Sequence, residues 1–235
     1  MDTVKITLAI YARVLERSSA LTLRNWPVLA TVFVYLAILD LTLPIALALG
    51  MLGGFLVSLA RAACAASFLY LVERIVRSSK VSVDDFLHSF GVYLWDVVGV
   101  LFVVWIFQAV AVPALLQSPS GLAIVVSLEL VAFVFFNAVP ELVYLGHHSA
   151  LELFSESARF ISENWIEWFP PNLLAAAGFA VLLALPLPGG VLGSLLRSAV
   201  LALYVYFAMV MRGLLFQELY GSSRRSRLFR WKASR

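Results

Sequence analysis

Six long apolar stretches dominate the pattern of hydrophobic and polar positions. They cover approximately residues 27–50, 54–76, 91–116, 120–146, 167–187 and 190–215. A bilayer core about 30 Å thick is crossed by roughly 20 apolar residues in a helix, and each stretch has about that length. The stretches are continuously apolar and do not alternate with a period of two, which favours helices over strands. The pattern predicts an all-α, polytopic membrane protein with six transmembrane helices.

Turn residues divide the six predicted spans into three hairpins. Gly, Pro and Ser clusters occupy residues 50–54, 117–121 and 186–190, and these clusters contain no Lys or Arg. Of the 17 basic residues, 15 fall on the opposite side of the predicted spans or at the span ends on that side, and two lie deep within spans. By the positive-inside rule, we expect both termini in the cytoplasm and the three turns outside.

The composition of the chain excludes several classes of protein. The chain is 62% hydrophobic and 13% charged, whereas soluble domains are roughly 45–50% apolar and about 25% charged. This excludes a soluble enzyme, a disordered protein and a nucleic-acid-binding domain. We expect one transmembrane domain over residues 1–220 and a basic cytoplasmic tail over 221–235, which is predicted to contact anionic lipid headgroups rather than nucleic acid.

An internal repeat is visible in the sequence. The segment GGFLVSLARAACAASFLYL from Gly53 aligns with GGVLGSLLRSAVLALYVYF from Gly189, and Asn25-Trp26 recurs as Asn164-Trp165. We interpret residues 4–76 and 149–215 as units of a parallel repeat. The middle hairpin, residues 84–146, is interpreted as a third, decayed copy. Three tryptophans with near-equal spacing are the predicted interfacial anchors: Trp26, Trp95 and Trp165.

Each outer repeat unit opens with an amphipathic stretch, which predicts interfacial helices before spans one and five. The apolar positions are Val4, Leu8, Tyr11 and Leu15 in the first stretch, and Leu151, Phe154, Ala158, Ile161 and Trp165 in the second. Charges of opposite sign occupy equivalent positions: Arg13, Arg17 and Arg24 correspond to Glu152, Glu156 and Glu163. One hypothesis is that these residues pair across the repeat axis or across a homodimer. The alternative is that both faces are simply solvated.

Four ionisable residues lie deep in the predicted spans: Asp40, Arg61, Glu129 and Arg197. Each costs roughly 2.5–3.5 kcal/mol at a span centre. Asp40 and Arg61 lie at similar distances from the first turn, so we expect them to pair, and Glu129 and Arg197 form the natural second pair. These residues are either buried ion pairs that fix helix register, or a polar centre that binds an anionic headgroup or carries an ion.

No catalytic motif is found. His147 and His148 lie near Glu141 and Glu152, but adjacent histidines cannot both face one side of a helix, and no HExxH spacing occurs. GxSxG, P-loop and dinucleotide motifs are also missing. We therefore expect no enzyme activity, no metal and no cofactor. The segment SSKVSVDDFLHSF is interpreted as a Ser/Asp N-cap that opens the third span.

Three segments resemble a family of bacterial membrane proteins. ALELFSESARFISENW, the preceding PELVYLG, and VSVDDFLHSFGVYLW are similar to segments of YciC-type proteins and of the membrane domain attached to some glycerophosphodiester phosphodiesterases. The resemblance implies a six-helix bacterial inner-membrane protein with interfacial helices. It implies no phosphodiesterase activity, because the sequence contains no such domain.

Three functions remain open from the sequence. The first is a non-enzymatic membrane protein that acts in envelope maintenance or as a subunit or scaffold of a membrane complex. The second is a transporter or permease component for a lipid or small amphiphile. The third is an intramembrane enzyme. The expected partners are the lipid bilayer and either a second copy of the chain or another membrane protein.

Overall fold

The computed structural model of the chain describes residues 2–146, 150–186 and 190–222. Regular structure in these ranges is entirely helical, without a β-strand. The α-helices are α1 (Asp2–Arg24), α2 (Ala30–Ala48), α3 (Met51–Ser78), α4 (Val83–Val92), α5 (Leu94–Ile106), α6 (Val112–Leu115), α7 (Gly121–Phe135), α8 (Val139–Leu145), α9 (Ala150–Ala184) and α10 (Gly190–Leu219). A 3-10 turn, Trp26–Leu29, precedes α2, and a π turn, Phe107–Ala111, joins α5 to α6.

Within the described ranges, six helical stretches are long and apolar enough to cross a membrane. They are Trp26–Ala48, Leu52–Ser78, Leu94–Leu115, Gly121–Leu145, Leu151–Ala184 and Gly193–Leu219. The prediction of an all-α chain with six candidate spans is confirmed at this level. Helix α1 is not one of them.

The chain forms two compact units. The first unit contains Met1–Val34, Val72–Val81 and Asn164–Arg235, and the second contains Tyr35–Leu71 and Ser82–Glu163. Helices α2, α3 and α9 contribute residues to both units.

In the first unit, α1 packs along α10. The apolar α1 side chains that become buried are Ile6, Ile10, Val14 and Leu21. This stripe differs from the apolar face predicted from the sequence. Two residues of the predicted face, Leu8 and Leu15, are 59% and 52% exposed. Helix α1 therefore has two apolar stripes, one against α10 and one directed outward.

Helix α9 is longer than predicted. An interfacial helix and a separate fifth span were expected, but a single helix runs from Ala150 to Ala184 through Pro170 and Pro171. Proline lacks an N–H, so Pro171 leaves the carbonyl of Glu167, four residues earlier, without its helical donor. The Tyr11 hydroxyl donates to this carbonyl over 2.8 Å. A tertiary hydrogen bond thus satisfies a backbone group freed by proline.

In the second unit, α4 begins with the predicted cap. The Ser82 hydroxyl accepts from the Asp85 N–H, and the Asp85 carboxylate accepts from the Ser82 N–H, which is a capping box. The prediction that this cap opens the third span is wrong, however. Helix α4 ends at Val92, and the third span begins with α5 at Leu94.

The fourth candidate span is interrupted just before Pro140. Helix α7 ends at Phe135 and α8 begins at Val139. The Ser157 hydroxyl bridges this interruption, because it accepts from the Ala138 N–H over 3.2 Å and donates to the Phe135 carbonyl over 2.8 Å. Helix α2, in contrast, continues through its Pro44.

Candidate functional site

The four predicted intramembrane charges are all exposed at the surface of the chain. Asp40 lies on α2 and Arg61 on α3, and neither has a hydrogen bond or ion pair among the described residues. The expected Asp40–Arg61 pair is therefore absent. Equal distance from the turn sets the depth of the two residues, but the rotation of each helix about its axis decides where its side chains point.

Glu129 and Arg197 each have a hydrogen-bond partner within their own unit. Gln108 Nε2 donates to Glu129 Oε1 over 3.1 Å, and Arg197 Nη2 donates to the carbonyl of Leu185 over 3.3 Å. Glu129 belongs to the second unit and Arg197 to the first. Their direct pairing stays a prediction.

The charges of the predicted interfacial helices contact other partners. Arg13 Nη1 lies 4.0 Å from Glu218 Oε1. Arg159 lies 3.5 Å from Glu156 and 3.4 Å from Glu163, both on its own helix. Arg17, Arg24 and Glu152 are exposed. Pairing between the α1 arginines and the α9 glutamates would join the two units, so it also stays a prediction.

The three predicted tryptophan anchors are all exposed, but only two of them lie at the end of a candidate span, since Trp165 lies inside the span Leu151–Ala184. Trp26, Trp95 and Trp165 are 65%, 74% and 55% exposed. Trp26 is the first residue of the first candidate span, and Trp95 is the second residue of the third. Exposed tryptophans at such positions are typical of a membrane interface.

A groove of about 300 Å³ lies between α1, α9 and α10 of the first unit. Its lining is apolar apart from two hydroxyls: Tyr11, Val14, Leu15, Pro170, Pro171, Leu174, Ala175, Tyr204, Phe207, Ala208, Met211 and Leu215. Both hydroxyls are engaged with backbone, because Tyr11 donates to Glu167 O and Tyr204 donates to Ala175 O, each over 2.8 Å. The groove therefore presents hydrocarbon to an occupant.

Burial, and to a lesser degree the carboxylate of Glu167, raises the pKa of Tyr11 to about 12. The phenol therefore stays protonated at neutral pH. Because a protonated phenol is a hydrogen-bond donor, the bond to the Glu167 carbonyl is maintained there.

A polar contact that the sequence did not suggest joins α9 to α10. Arg212 Nη1 donates to Asn172 Oδ1 over 3.1 Å, and the guanidinium lies 5.1 Å from the ring centre of Trp168. Asn172 and Trp168 are buried. A guanidinium over an aromatic face is held by a cation–π interaction. The sequence marks Arg212 only as a basic residue near the end of the last span.

Asn25 makes a second set of tertiary contacts that the sequence did not predict. It is buried, accepts from the Val81 N–H over 3.0 Å, and donates to the carbonyls of Leu21 and Ser79 over 2.9 and 3.2 Å. Its side chain thus ties the end of α1 to the segment after α3. The repeat alignment did single it out, since its counterpart Asn164 is also buried.

Some predicted residues lie outside the described ranges. They are His147, His148, the turn residues 187–189 and the tail residues 223–235. In the described ranges, no group of three or more His, Cys, Asp or Glu side chains is placed to hold a metal ion.

Comparisons with protein-family models, with curated proteins and with solved structures find no match to the chain.

Proposed function

We propose that the chain is a non-enzymatic integral protein of the bacterial inner membrane that acts as a subunit or scaffold of a membrane complex in envelope maintenance. The observation that carries the proposal is the exposure of Asp40, Arg61, Glu129 and Arg197 within candidate spans. A charged residue that faces lipid costs roughly 2.5–3.5 kcal/mol at a span centre, and less near a span end such as that of Arg197. A neighbouring protein that supplies polar partners removes this cost.

The low burial of the spans supports a role in a complex. In the most apolar 18-residue stretch of the third span, Leu94–Leu115, only 6% of the residues are buried within the chain, whereas 39% are buried in that of the second span, Leu52–Ser78. Helices of membrane complexes pack against one another through such surfaces.

The contacts between consecutive helices support the hairpin arrangement and the repeat. Tyr35 on α2 hydrogen-bonds Ser67 on α3 over 2.8 Å, and Tyr204 on α10 bonds the Ala175 carbonyl on α9. Ser18 and its repeat counterpart Ser157 are both fully buried. With the one-sided distribution of Lys and Arg, this arrangement supports the proposal that both termini lie in the cytoplasm.

Photo-crosslinking in native membranes tests the proposal. A photoreactive phenylalanine analogue replaces Phe102, which is 55% exposed in the third span, and in a control it replaces fully buried Phe216. We expect crosslinks from position 102 to protein and none to a separate protein from position 216. Crosslinks from position 102 to lipid alone would contradict the proposal.

The apolar groove favours a second function, movement of a lipid or small amphiphile as a transporter or permease component. Its two hydroxyls are both engaged with backbone, so its surface suits a hydrocarbon chain. Ala208→Trp would fill the groove, and Ala176→Trp, on the exposed side of α9, is the matched control.

The assay for this second function uses purified protein in vesicles with a fluorescent phospholipid. We expect exchange of the lipid between leaflets in the wild type and in Ala176→Trp, and its loss in Ala208→Trp. Equal exchange in vesicles with and without the wild-type protein rules this function out for phospholipids.

A further inference from the structure

The apolar groove between α1, α9 and α10 runs along one half of the last candidate span. On α10 its lining extends from Tyr204 to Leu215, which is about 16 Å at 1.5 Å per residue. Leu215 lies four residues before the end of the span Gly193–Leu219, and Tyr204 lies near the middle of this span. Each leaflet contributes about half of a hydrocarbon core that is about 30 Å thick. The groove therefore has the length of one leaflet.

Tyr204 closes one end of the groove. Its hydroxyl donates to the Ala175 carbonyl of α9 over 2.8 Å, so the side chain bridges the two helices. A side chain at Gly178 of α9 would collide with this hydroxyl, which shows how closely the tyrosine lies against the helix. The ring therefore fills the space between α9 and α10 at this end.

The other end of the groove lies among charged side chains. Glu218 comes three residues after Leu215 on α10, and its carboxylate is 4.0 Å from the guanidinium of Arg13 on α1. Arg212 comes three residues before Leu215. Long charged side chains near the end of a span reach the headgroup level, whereas the hydrocarbon core disfavours charge. The groove thus has a polar end at Leu215 and a closed, apolar end at Tyr204.

The groove is narrow. A volume of about 300 Å³ over a length of about 16 Å corresponds to a mean cross-section of about 19 Å². An α-helix with its side chains is about 10–12 Å in diameter, so its cross-section is at least about 80 Å². A hydrocarbon chain is a single row of methylene groups and needs far less room. The groove is therefore too narrow for a helix and wide enough for one acyl chain.

The groove has a buried floor and an exposed rim. Val14, Met211 and Leu215 form the floor, and they are 5%, 7% and 1% exposed. Leu15 and Leu174 form the rim, and they are 52% and 75% exposed. Lipid that merely surrounds the chain contacts the rim, whereas an occupant of the groove also contacts the floor.

We propose that the groove holds one acyl chain of a phospholipid of the surrounding membrane. The headgroup lies at the Leu215 end and the terminal methyl group lies against Tyr204, while the second acyl chain stays in the bilayer. Van der Waals contact with the lining holds the chain, as it holds helices together in lipid. The inference deepens the second function proposed above, on which it rests, by naming the position and direction of the lipid.

Other occupants match the groove less well. A polar ligand finds only the hydroxyls of Tyr11 and Tyr204 in the lining, and both already donate to backbone carbonyls. A helix of another protein is too wide, and a single side chain of such a helix fills only part of the length. An acyl chain fills the groove from its polar end to its closed end.

Phospholipids that carry a photoreactive diazirine in one acyl chain test the proposal. One probe has the diazirine next to the ester, and the other has it next to the terminal methyl group. Each probe is added in trace amounts to vesicles that contain the full-length chain, and labelled residues are identified by peptide mass spectrometry. We expect the first probe to label Leu215, and the second to label Ala175 and Tyr204.

Variants at the closed end sharpen the test. Tyr204→Ala removes the ring that closes the groove, so the label of the second probe should shift by about one turn along α9, from Ala175 toward Phe179. Tyr204→Phe keeps the ring and should preserve the wild-type pattern. Ala208→Trp fills the groove and should abolish labelling at Ala175, whereas Ala176→Trp, on the exposed side of α9, should not.

Two results would overturn the inference. One is labelling by both probes that is confined to the rim residues Leu15 and Leu174, and the other is labelling of the same floor residues by both probes, because the chain would then have no fixed direction. A chain that is labelled as expected but exchanges no lipid between leaflets would refute the second proposed function and leave the position of the lipid standing. Exchange without directional labelling would overturn the inference alone.

Discussion

Asn25 binds three backbone groups of the first unit, and its replacement by alanine is expected to destabilise that unit. The side chain accepts from the Val81 N–H and donates to the carbonyls of Leu21 and Ser79. Ser79 has a φ of 61°, a conformation that residues other than glycine rarely adopt. The Asn25 side chain therefore holds the backbone that directly follows a strained position.

The expected loss follows from these contacts. Each hydrogen bond contributes a net free energy of about 0.5–1.5 kcal/mol, so removal of three lowers the free energy of unfolding by about 2–4 kcal/mol. Asn25→Asp should cost more, because it keeps the acceptor for Val81 but places a buried carboxylate against two carbonyl oxygens.

Equilibrium unfolding in mixed micelles measures this loss, and amide hydrogen exchange shows where it arises. In Asn25→Ala, the rate of hydrogen exchange at the Val81 amide should increase more than the rates at other amides of the first unit. Ser19→Ala is the matched control, since its exposed hydroxyl bonds only the Leu15 carbonyl of its own helix. A loss in Asn25→Ala no larger than in Ser19→Ala, with an unchanged Val81 amide, would refute the reasoning.

Three other predictions follow from the contacts described. Ser157→Ala removes both bonds across the interruption of the fourth span and should lower the free energy of unfolding by about 1–3 kcal/mol, whereas Ser157→Thr, which keeps the hydroxyl, should lower it less. Arg212→Met loses the bond to Asn172 and the contact with Trp168, and a loss of about 1–3 kcal/mol is expected in the same unfolding assay; no change would contradict both contacts. Tyr11 has a pKa raised from 10.0 to about 12 in the folded chain, so its stabilising contribution is complete below pH 10 and is lost as the pH rises through 12. Unfolding measured from pH 9 to 12 should therefore show a steeper loss in the wild type than in Tyr11→Phe, and parallel curves would contradict this.

The sequence predicts the elements that depend on local pattern. Six apolar stretches give six candidate spans, and the residues before α4 give its capping box, because both follow from neighbours along the chain.

Tertiary contacts explain the differences from prediction. Pro170 and Pro171 favour a break in α9, but the helix continues, and a tyrosine more than 150 residues away satisfies a freed carbonyl. Asp40 and Arg61 have matching depth, yet helix rotation leaves both exposed. The exposed Gln108–Glu129 bond was not foreseen, because Gln108 has no counterpart in the repeat pattern and its π turn gives no clear sequence signal.

Oxygen access to a nitroxide next to Glu129 is the most direct measurement of whether protein covers the intramembrane polar groups. The label replaces Phe133 in a Cys64→Ser background, and a reference label replaces Leu173, which is 60% exposed on α9 and lies at a similar distance from the end of its span. Oxygen concentrates in the hydrocarbon core, so a label that faces lipid relaxes faster than one covered by protein. We predict markedly lower oxygen access at position 133 than at position 173 in the wild type, and a rise at 133 in Glu129→Leu. High access at position 133 in both chains would show that lipid surrounds this face, and would contradict the account.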